Sequence, residues 1–338
     1  MEEWIQAIFS DAIIDEALNR FGGSFTDKKK LGDFENYVYE VKRGKEVWIL
    51  RLTHSSHRTF GEIEAEVDWV NELHRGGVNV SRAYSSSNGK MIETIVVENG
   101  RFFACLFEKA PGFGVKTDDP VFGPQLYEAW GREVGKMHRI SMQNHLRGRR
   151  HRWDESDLLR FAYLTNQEDS SLIKDGEKLV EEIKSFHETG ETFGLIHSDV
   201  HHGNFHYDGK EIHLYDFDDS MYHYYVSDIA IPVYYAVWRK CGNESKEVRT
   251  QYATEFLYWF LKGYREETTI SNEWLRTLPL FLRLRDYELY TVFHKKFNKS
   301  TMDEEVRGYM QKIRDRLIRS ELIADLMFDR LIVKVDEA

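Results

Sequence analysis

One stretch of the chain concentrates groups that can do chemistry: His197-Ser198-Asp199-Val200-His201-His202-Gly203-Asn204, followed by Ile212-His213-Leu214-Tyr215-Asp216-Phe217-Asp218-Asp219. Phosphoryl transfer from a nucleotide needs a carboxylate that positions the accepting hydroxyl and takes its proton. It also needs oxygen ligands that hold magnesium against the phosphates. Asp199 and Asn204 stand five residues apart, a spacing that lets a tight loop aim both at one point. The apolar run Glu211 to Tyr215 reads as a strand that delivers Asp216 at its end. On this reading Asp199 meets the acceptor hydroxyl, while Asn204 and Asp216 coordinate magnesium. His197, His201 and His202 allow a second reading as a zinc cluster; magnesium's preference for oxygen ligands and the placement of the carboxylates speak against it. His197 is expected to brace the loop, and His201 either contacts phosphate or packs.

The elements that must position these groups fall into two kinds. Trp4 to Phe21 has apolar residues at helical spacing and stops at Gly22-Gly23. Phe34 to Val41 and Glu46 to Thr53, joined by Arg43-Gly44-Lys45, read as a strand hairpin, and a helix follows from Thr59 to Leu73. A second hairpin pairs Ile92 to Val97 with Arg101 to Phe107 across Glu98-Asn99-Gly100. After Ala110-Pro111-Gly112 the pattern is helical: Gln125 to Ile140, Leu172 to Thr189, Tyr252 to Tyr264, Trp274 to Phe293 and Glu304 to Met327. Asn144 to Asp157, with four arginines and two histidines, reads as an exposed connection.

The central segment resembles the H-G-D-x-H-x-x-N signature of the aminoglycoside and choline phosphotransferases, a superfamily with homoserine kinase-like and stress-response kinase-like bacterial members. It is similar to the H-R-D-x-x-x-x-N and D-F-G pair of protein kinases. Ser198 stands where the signature has glycine, and Val200 where it has leucine. The resemblance implies an α+β, protein-kinase-like two-lobed fold. Residues 1–107 would form a nucleotide-binding lobe of antiparallel sheet with one helix, and residues 108–338 a larger, mainly helical lobe for catalysis and substrate, with a cleft between the lobes.

It also implies further site residues. In Val47-Trp48-Ile49-Leu50-Arg51-Leu52, Arg51 takes the place of the strand lysine that pairs with nucleotide phosphates, a task a guanidinium can perform in a bidentate manner. Glu62, Glu64 and Glu66 compete as its ion-pair partner; Glu66 is chosen because Ala65 to Val70 resembles the family's helix. Gly32 and Asn36 lie in a segment that resembles the family's phosphate-covering G-x-x-x-N-x-V-Y turn. Phe107 and Lys109 lie at the linker where related enzymes hold the base, and His201 is grouped with this nucleotide set. Ser227 or Asp228 would cap a helix, with Asp228 structural. Asp218 and Asp219 shape the metal site, bind a cationic substrate or face water.

Composition narrows the partners. With 57 acidic and 46 basic residues the net charge is −11, which disfavours a nucleic-acid or anionic membrane partner and accommodates a cationic substrate more easily. The two cysteines, Cys105 and Cys241, have no metal-ligand spacing and read as reduced thiols. Met1 to Ser10 lacks the basic start of a secretory signal, and no stretch has the apolar length of a membrane span, so a cytoplasmic protein is expected. The expected activity is transfer of the terminal phosphate of ATP or GTP, with magnesium, to a hydroxyl of a small molecule such as an amino acid, amino alcohol, sugar or aminoglycoside. A protein Ser/Thr kinase of the stress-response type and a catalytically inactive nucleotide-binding or structural relative are the alternatives.

Overall fold

The computed structural model describes residues 2–143, 150–165, 167–297 and 302–328. Their contacts group into two units: one holds the described residues of Met1–Gly112, Leu146–Arg150 and His213–Asp218, the other those of Phe113–His145, His151–Ile212 and Asp219–Ala338.

The first unit begins with helices α1 (Glu3–Ile8) and α2 (Asp11–Arg20) and continues through strands β1 (Thr26–Gly32), β2 (Tyr37–Arg43) and β3 (Glu46–His54). Helix α3 (Phe60–Arg75) and strands β4 (Ala83–Tyr84), β5 (Glu93–Val97) and β6 (Gly100–Glu108) complete it. The strands form an antiparallel sheet in the order β1-β2-β3-β6-β4, with β5 also paired to β6. Side chains alternate across a strand, so β3 and β6 each serve two cores. Leu50, Leu52, Phe102, Ala104 and Leu106 pack with Ile5, Ile13, Ile14, Ala17 and Leu18 of α1 and α2. Phe103, Cys105 and Phe107 face the other way, toward Ile63 and Val67 of α3. That second face also carries Arg51. The turns between paired strands use Gly44 and Gly100 at φ +64° and +131°, and a Cβ at Gly100 would lie 2.8 Å from the Ser55 hydroxyl.

In the second unit come β7 (Phe113–Gly114), α4 (Pro124–Gln143), α5 (Ser170–Lys184), β8 (Phe193–Ile196), β9 (Phe205–Tyr207) and β11 (Met221–Tyr224), while β10 (Ile212–Leu214) starts in this unit at Ile212 and has its other two residues in the first. Helices α6 (Ser227–Cys241), α7 (Lys246–Arg265), α8 (Asn272–Leu275), α9 (Leu278–Lys296) and α10 (Glu304–Arg319) follow. Short strands pair β7 with β9 and β8 with β11. Helices α4 and α7 meet backbone to backbone: a Cβ at Gly131 would stand 1.8 Å from the Phe260 carbonyl oxygen, and one at Gly263 1.9 Å from that of Glu128. The residues His213–Asp218, which group with the first unit, are tied there by Leu214, whose N–H donates to Asn79 and whose carbonyl accepts from Ser81.

Several expected elements differ in detail. Trp4 to Phe21 is two helices rather than one, because Phe9 turns extended and its ring stacks on Tyr37 at 3.5 Å. Strand β1 was not expected: Thr26–Gly32 reads as polar because it is an exposed edge strand rich in lysine, a composition that protects an edge from further pairing. Trp274 to Phe293 breaks before Leu278-Pro279, and the last helix stops at Arg319, where Ser320 turns left-handed at φ +53°. Helix α6 was foreseen only as a helix start. Of the presumed exposed connection, residues 144–149 lie outside the described residues, but Arg150 and Trp153 are buried. Both cysteines are free and buried. Among the described residues no helix is long and apolar enough to cross a membrane.

Candidate active site

Strand β8 ends at Ile196, and the chain then turns sharply through the loop that carries Asp199. Asp228, at the start of α6, fixes the turn: its two carboxylate oxygens accept the N–H groups of His197 and Ser198, each at 2.8 Å. His138 of α4 lies 3.4 Å from the same carboxylate through Nε2 and 2.9 Å from the Tyr264 hydroxyl through Nδ1, all of it buried. Asp228 is thus structural, as expected, and both of its carboxylate oxygens serve the loop backbone. Ser198 adopts φ +67°, the left-handed conformation that glycine takes without strain.

Asp199 is held from two sides. The Gly203 N–H donates to His201 Nδ1 at 2.9 Å, which leaves the proton on Nε2, 3.3 Å from Asp199 Oδ2. Asn204 donates its amide nitrogen to the Asp199 carbonyl at 2.9 Å and to Oδ2 at 3.1 Å. From α9, Arg285 donates Nη2 to Asp199 Oδ1 at 2.7 Å and to the Tyr235 hydroxyl at 2.8 Å, while Nη1 meets Glu288 at 3.1 Å. Burial of Asp199 works to raise its pKa, but His201, Arg285 and His197 outweigh it and hold the carboxyl well below the usual carboxylate range. His202 is pushed down to about 4 by burial, with His201 and Arg239 adding to the shift.

The first unit carries a separate charged cluster. Arg51 on β3 and Glu66 on α3 form a buried bidentate pair at 2.7 Å, with the Phe107 ring 5.1 Å from the guanidinium carbon. Glu62 instead closes a capping box with Thr59 at the start of α3. Gly32 ends β1, and Asn36 is buried with its side-chain oxygen accepting from the Thr53 hydroxyl at 2.6 Å. Lys109 points back to Glu40 of β2 at 2.7 Å.

Asp216 sits at φ +64° with an exposed side chain, between Tyr215 and Phe217, whose ring packs edge-on against Trp69 at 5.4 Å. Asp218 is buried, and its carboxylate accepts from His57 at 3.0 Å and Arg58 at 3.3 Å; Arg150 donates to its carbonyl. Asp218 is thus engaged with His57, Arg58 and Arg150 of its own unit. Asp219 is exposed. Glu35, His57 and Asp218 bring three potential ligand atoms within 4.8 Å of one another. His57 Nε2 lies between the two carboxylates, 3.2 Å from Glu35 and 3.0 Å from Asp218, and Arg58 pairs with Asp218.

Taken singly, the two residues expected to hold magnesium carry oxygen atoms of the hard kind that it prefers: Asn204, whose nitrogen is given to Asp199, has an amide oxygen, and Asp216 has a carboxylate. Among the described residues none of the three loop histidines shares a potential metal site with two further His, Cys, Asp or Glu ligands.

Sequence reasoning missed Arg285, Glu288 and Tyr235 around Asp199. A signal was present: α9 buries apolar residues on several sides, so ionic groups such as Arg285, Asp286 and Glu288 within it must find partners.

Comparison with known proteins places the chain in a class. The model of the phosphotransferase enzyme family matches residues 29–267. The chain belongs to this family and is a kinase whose acceptor is an alcohol group. It is 31% identical over 333 residues to the amicoumacin kinase of Bacillus subtilis (strain 168), covering 97% of this chain and 98% of that one. Among solved structures it is similar to the amicoumacin kinase hAmiN in complex with AMP-PNP, Ca2+ and Ami, with a TM-score of 0.89 and 29% identity over 98% of this chain and 100% of that one. A microcompartment-associated aminopropanol kinase shares the fold at a TM-score of 0.72 and 20% identity, over 92% of this chain and 98% of that one.

Proposed function

We propose that the chain transfers the terminal phosphate of ATP to a hydroxyl of a small acceptor that also bears an amine, of the amicoumacin or amino alcohol kind. The observation that carries the reading is the arrangement at Asp199: a carboxylate whose Oδ2 is fixed by His201 and Asn204, on a loop anchored through Asp228. A rigidly held carboxylate of this sort orients an incoming hydroxyl and takes its proton as the phosphoryl group moves. The acceptor class is supported by full-length similarity to amicoumacin kinase. ATP is supported by the AMP-PNP bound to the hAmiN relative.

In this reading Asn204 and Asp216 hold magnesium, which when bound offsets the charge of the phosphates. Arg51, kept in place by Glu66, faces phosphate oxygens, with Gly32 and Asn36 shaping the covering turn, Phe107 and Lys109 at the base-holding linker and His201 near the phosphates. The full nucleotide-binding segment is residues 1–107 and the catalytic and acceptor-binding segment residues 108–338. The test is a transfer assay with ATP and GTP against amicoumacin, aminopropanol, choline, aminoglycosides, amino acids and a generic protein. Transfer to amine-bearing alcohols with ATP supports the reading. Transfer to protein alone would replace it with a protein kinase.

A further inference from the structure

We infer that Arg285 is a positioning residue that couples Asp199 to the acceptor and keeps water from taking the phosphate in the acceptor's place; the inference rests on the kinase reading above. The two oxygens of the Asp199 carboxylate are served differently. Oδ2 belongs to the loop, through His201 at 3.3 Å and Asn204 at 3.1 Å. Among the described residues Oδ1 meets one hydrogen-bond donor, Arg285 Nη2 at 2.7 Å, which comes from α9, 86 positions along the chain. A hydroxyl that is to lose its proton to Asp199 needs a carboxylate oxygen, and Oδ1 is the one the loop leaves open. Arg285 already uses one lone pair of that atom and draws charge from it, so it lowers the basicity of the oxygen that the acceptor proton would reach.

The arginine keeps its place without Asp199. Its Nη1 stays with Glu288 at 3.1 Å, its Nη2 also meets the Tyr235 hydroxyl at 2.8 Å, and its guanidinium carbon lies 5.2 Å from the centre of the Tyr235 ring. Only the bond to Oδ1 has to loosen for that oxygen to regain its full basicity. An acceptor bound through the rest of its structure can supply the energy for that loosening. Water has no such binding energy to draw on. In transfer, the bond from the terminal phosphorus to the diphosphate oxygen breaks as a bond to the acceptor oxygen forms, and the acceptor proton passes to Asp199. With water as acceptor the same exchange yields nucleoside diphosphate and inorganic phosphate.

A charge-assisted hydrogen bond changes occupancy by roughly ten- to a hundredfold. The experiment uses the full chain with ATP and magnesium, as wild type, Arg285→Gln, Arg285→Lys and Tyr235→Phe. Phosphate release is measured without acceptor, and transfer with aminopropanol or amicoumacin. For Arg285→Gln, acceptor-free hydrolysis should rise about tenfold with nucleotide affinity unchanged, and Arg285→Lys should rise less, because the charge remains while the fork is lost. Hydrolysis that is unchanged, or that falls in step with transfer in a variant that melts like wild type, overturns the inference. If Arg285→Gln no longer melts cooperatively, Tyr235→Phe decides: more acceptor-free hydrolysis supports the inference, and none overturns it. Acceptor-free hydrolysis that follows the Arg285 pattern in a protein that phosphorylates none of the acceptors overturns the acceptor reading and leaves this inference standing. Normal transfer with no effect at Arg285 does the reverse.

Discussion

Arg51 and Glu66 face each other through two parallel hydrogen bonds, Nη1 to Oε1 and Nη2 to Oε2, each 2.7 Å long. Both side chains are almost fully buried, with exposures of 6% and 1%. Burial works to lower the arginine's pKa, but Glu66 more than offsets it, so the guanidinium keeps its charge inside the protein. Glu66→Ala removes that compensation and is expected to destabilise the protein by about 3–5 kcal/mol, read as a lower urea midpoint. Arg51→Lys loses the fork geometry and should cost about 1–3 kcal/mol while raising the KM for ATP. An unchanged KM in that variant would detach Arg51 from the nucleotide.

Asp199→Asn keeps the shape of the loop but removes the proton acceptor. Turnover is expected to fall by about 10²–10⁴, with ATP affinity by calorimetry nearly unchanged. Asp216→Ala should behave differently, weakening ATP binding only when magnesium is present. A magnesium-independent loss of affinity would argue against Asp216 as a ligand.

Ser198 holds a left-handed backbone at φ +67° beside Asp199. A side chain in that region is strained, and Ser198→Gly should gain about 0.5–1 kcal/mol after the greater freedom of glycine in the unfolded chain is subtracted. Differential scanning calorimetry should show a melting temperature higher by about 1 °C. A lower melting temperature would mean that the serine side chain supplies more than the turn costs.

His223 on β11 is buried against Trp153, their rings stacked at 4.7 Å, and neither ring nitrogen has a hydrogen-bond partner among the described residues. Burial, reinforced by Arg152, holds its pKa well below the ordinary 6.5, so the folded protein keeps the ring neutral. The unfolded chain binds a proton first as pH falls. Stability from this residue is therefore complete above about pH 6.5 and declines below it, by about 2 kcal/mol at pH 5. His223→Phe should flatten that part of the pH dependence and add about 1–3 kcal/mol. Urea unfolding at pH 7.5 and pH 5 checks both, and an equal acid sensitivity in the variant would place the cause elsewhere.

Local chemistry made much of the protein readable in advance. Two β-branched and aromatic runs around Gly44, and two more around Asn99-Gly100, announce hairpins because turn residues and period-two patterns act over a few positions. The loop from His197 to Asn204 was legible for the same reason, its functional groups lying within one turn of chain.

What escaped the sequence was contact between distant segments. Nothing near Asp199 in the chain points to Arg285, and nothing near Ser198 points to Asp228 or, behind it, to His138. Residue types and their spacing specify which groups a loop can offer, since those are matters of covalent connection and short-range backbone preference. Only tertiary packing decides which of a loop's atoms are already taken, because a partner 86 positions away is chosen by how helices bury their apolar faces and not by any pattern at the site.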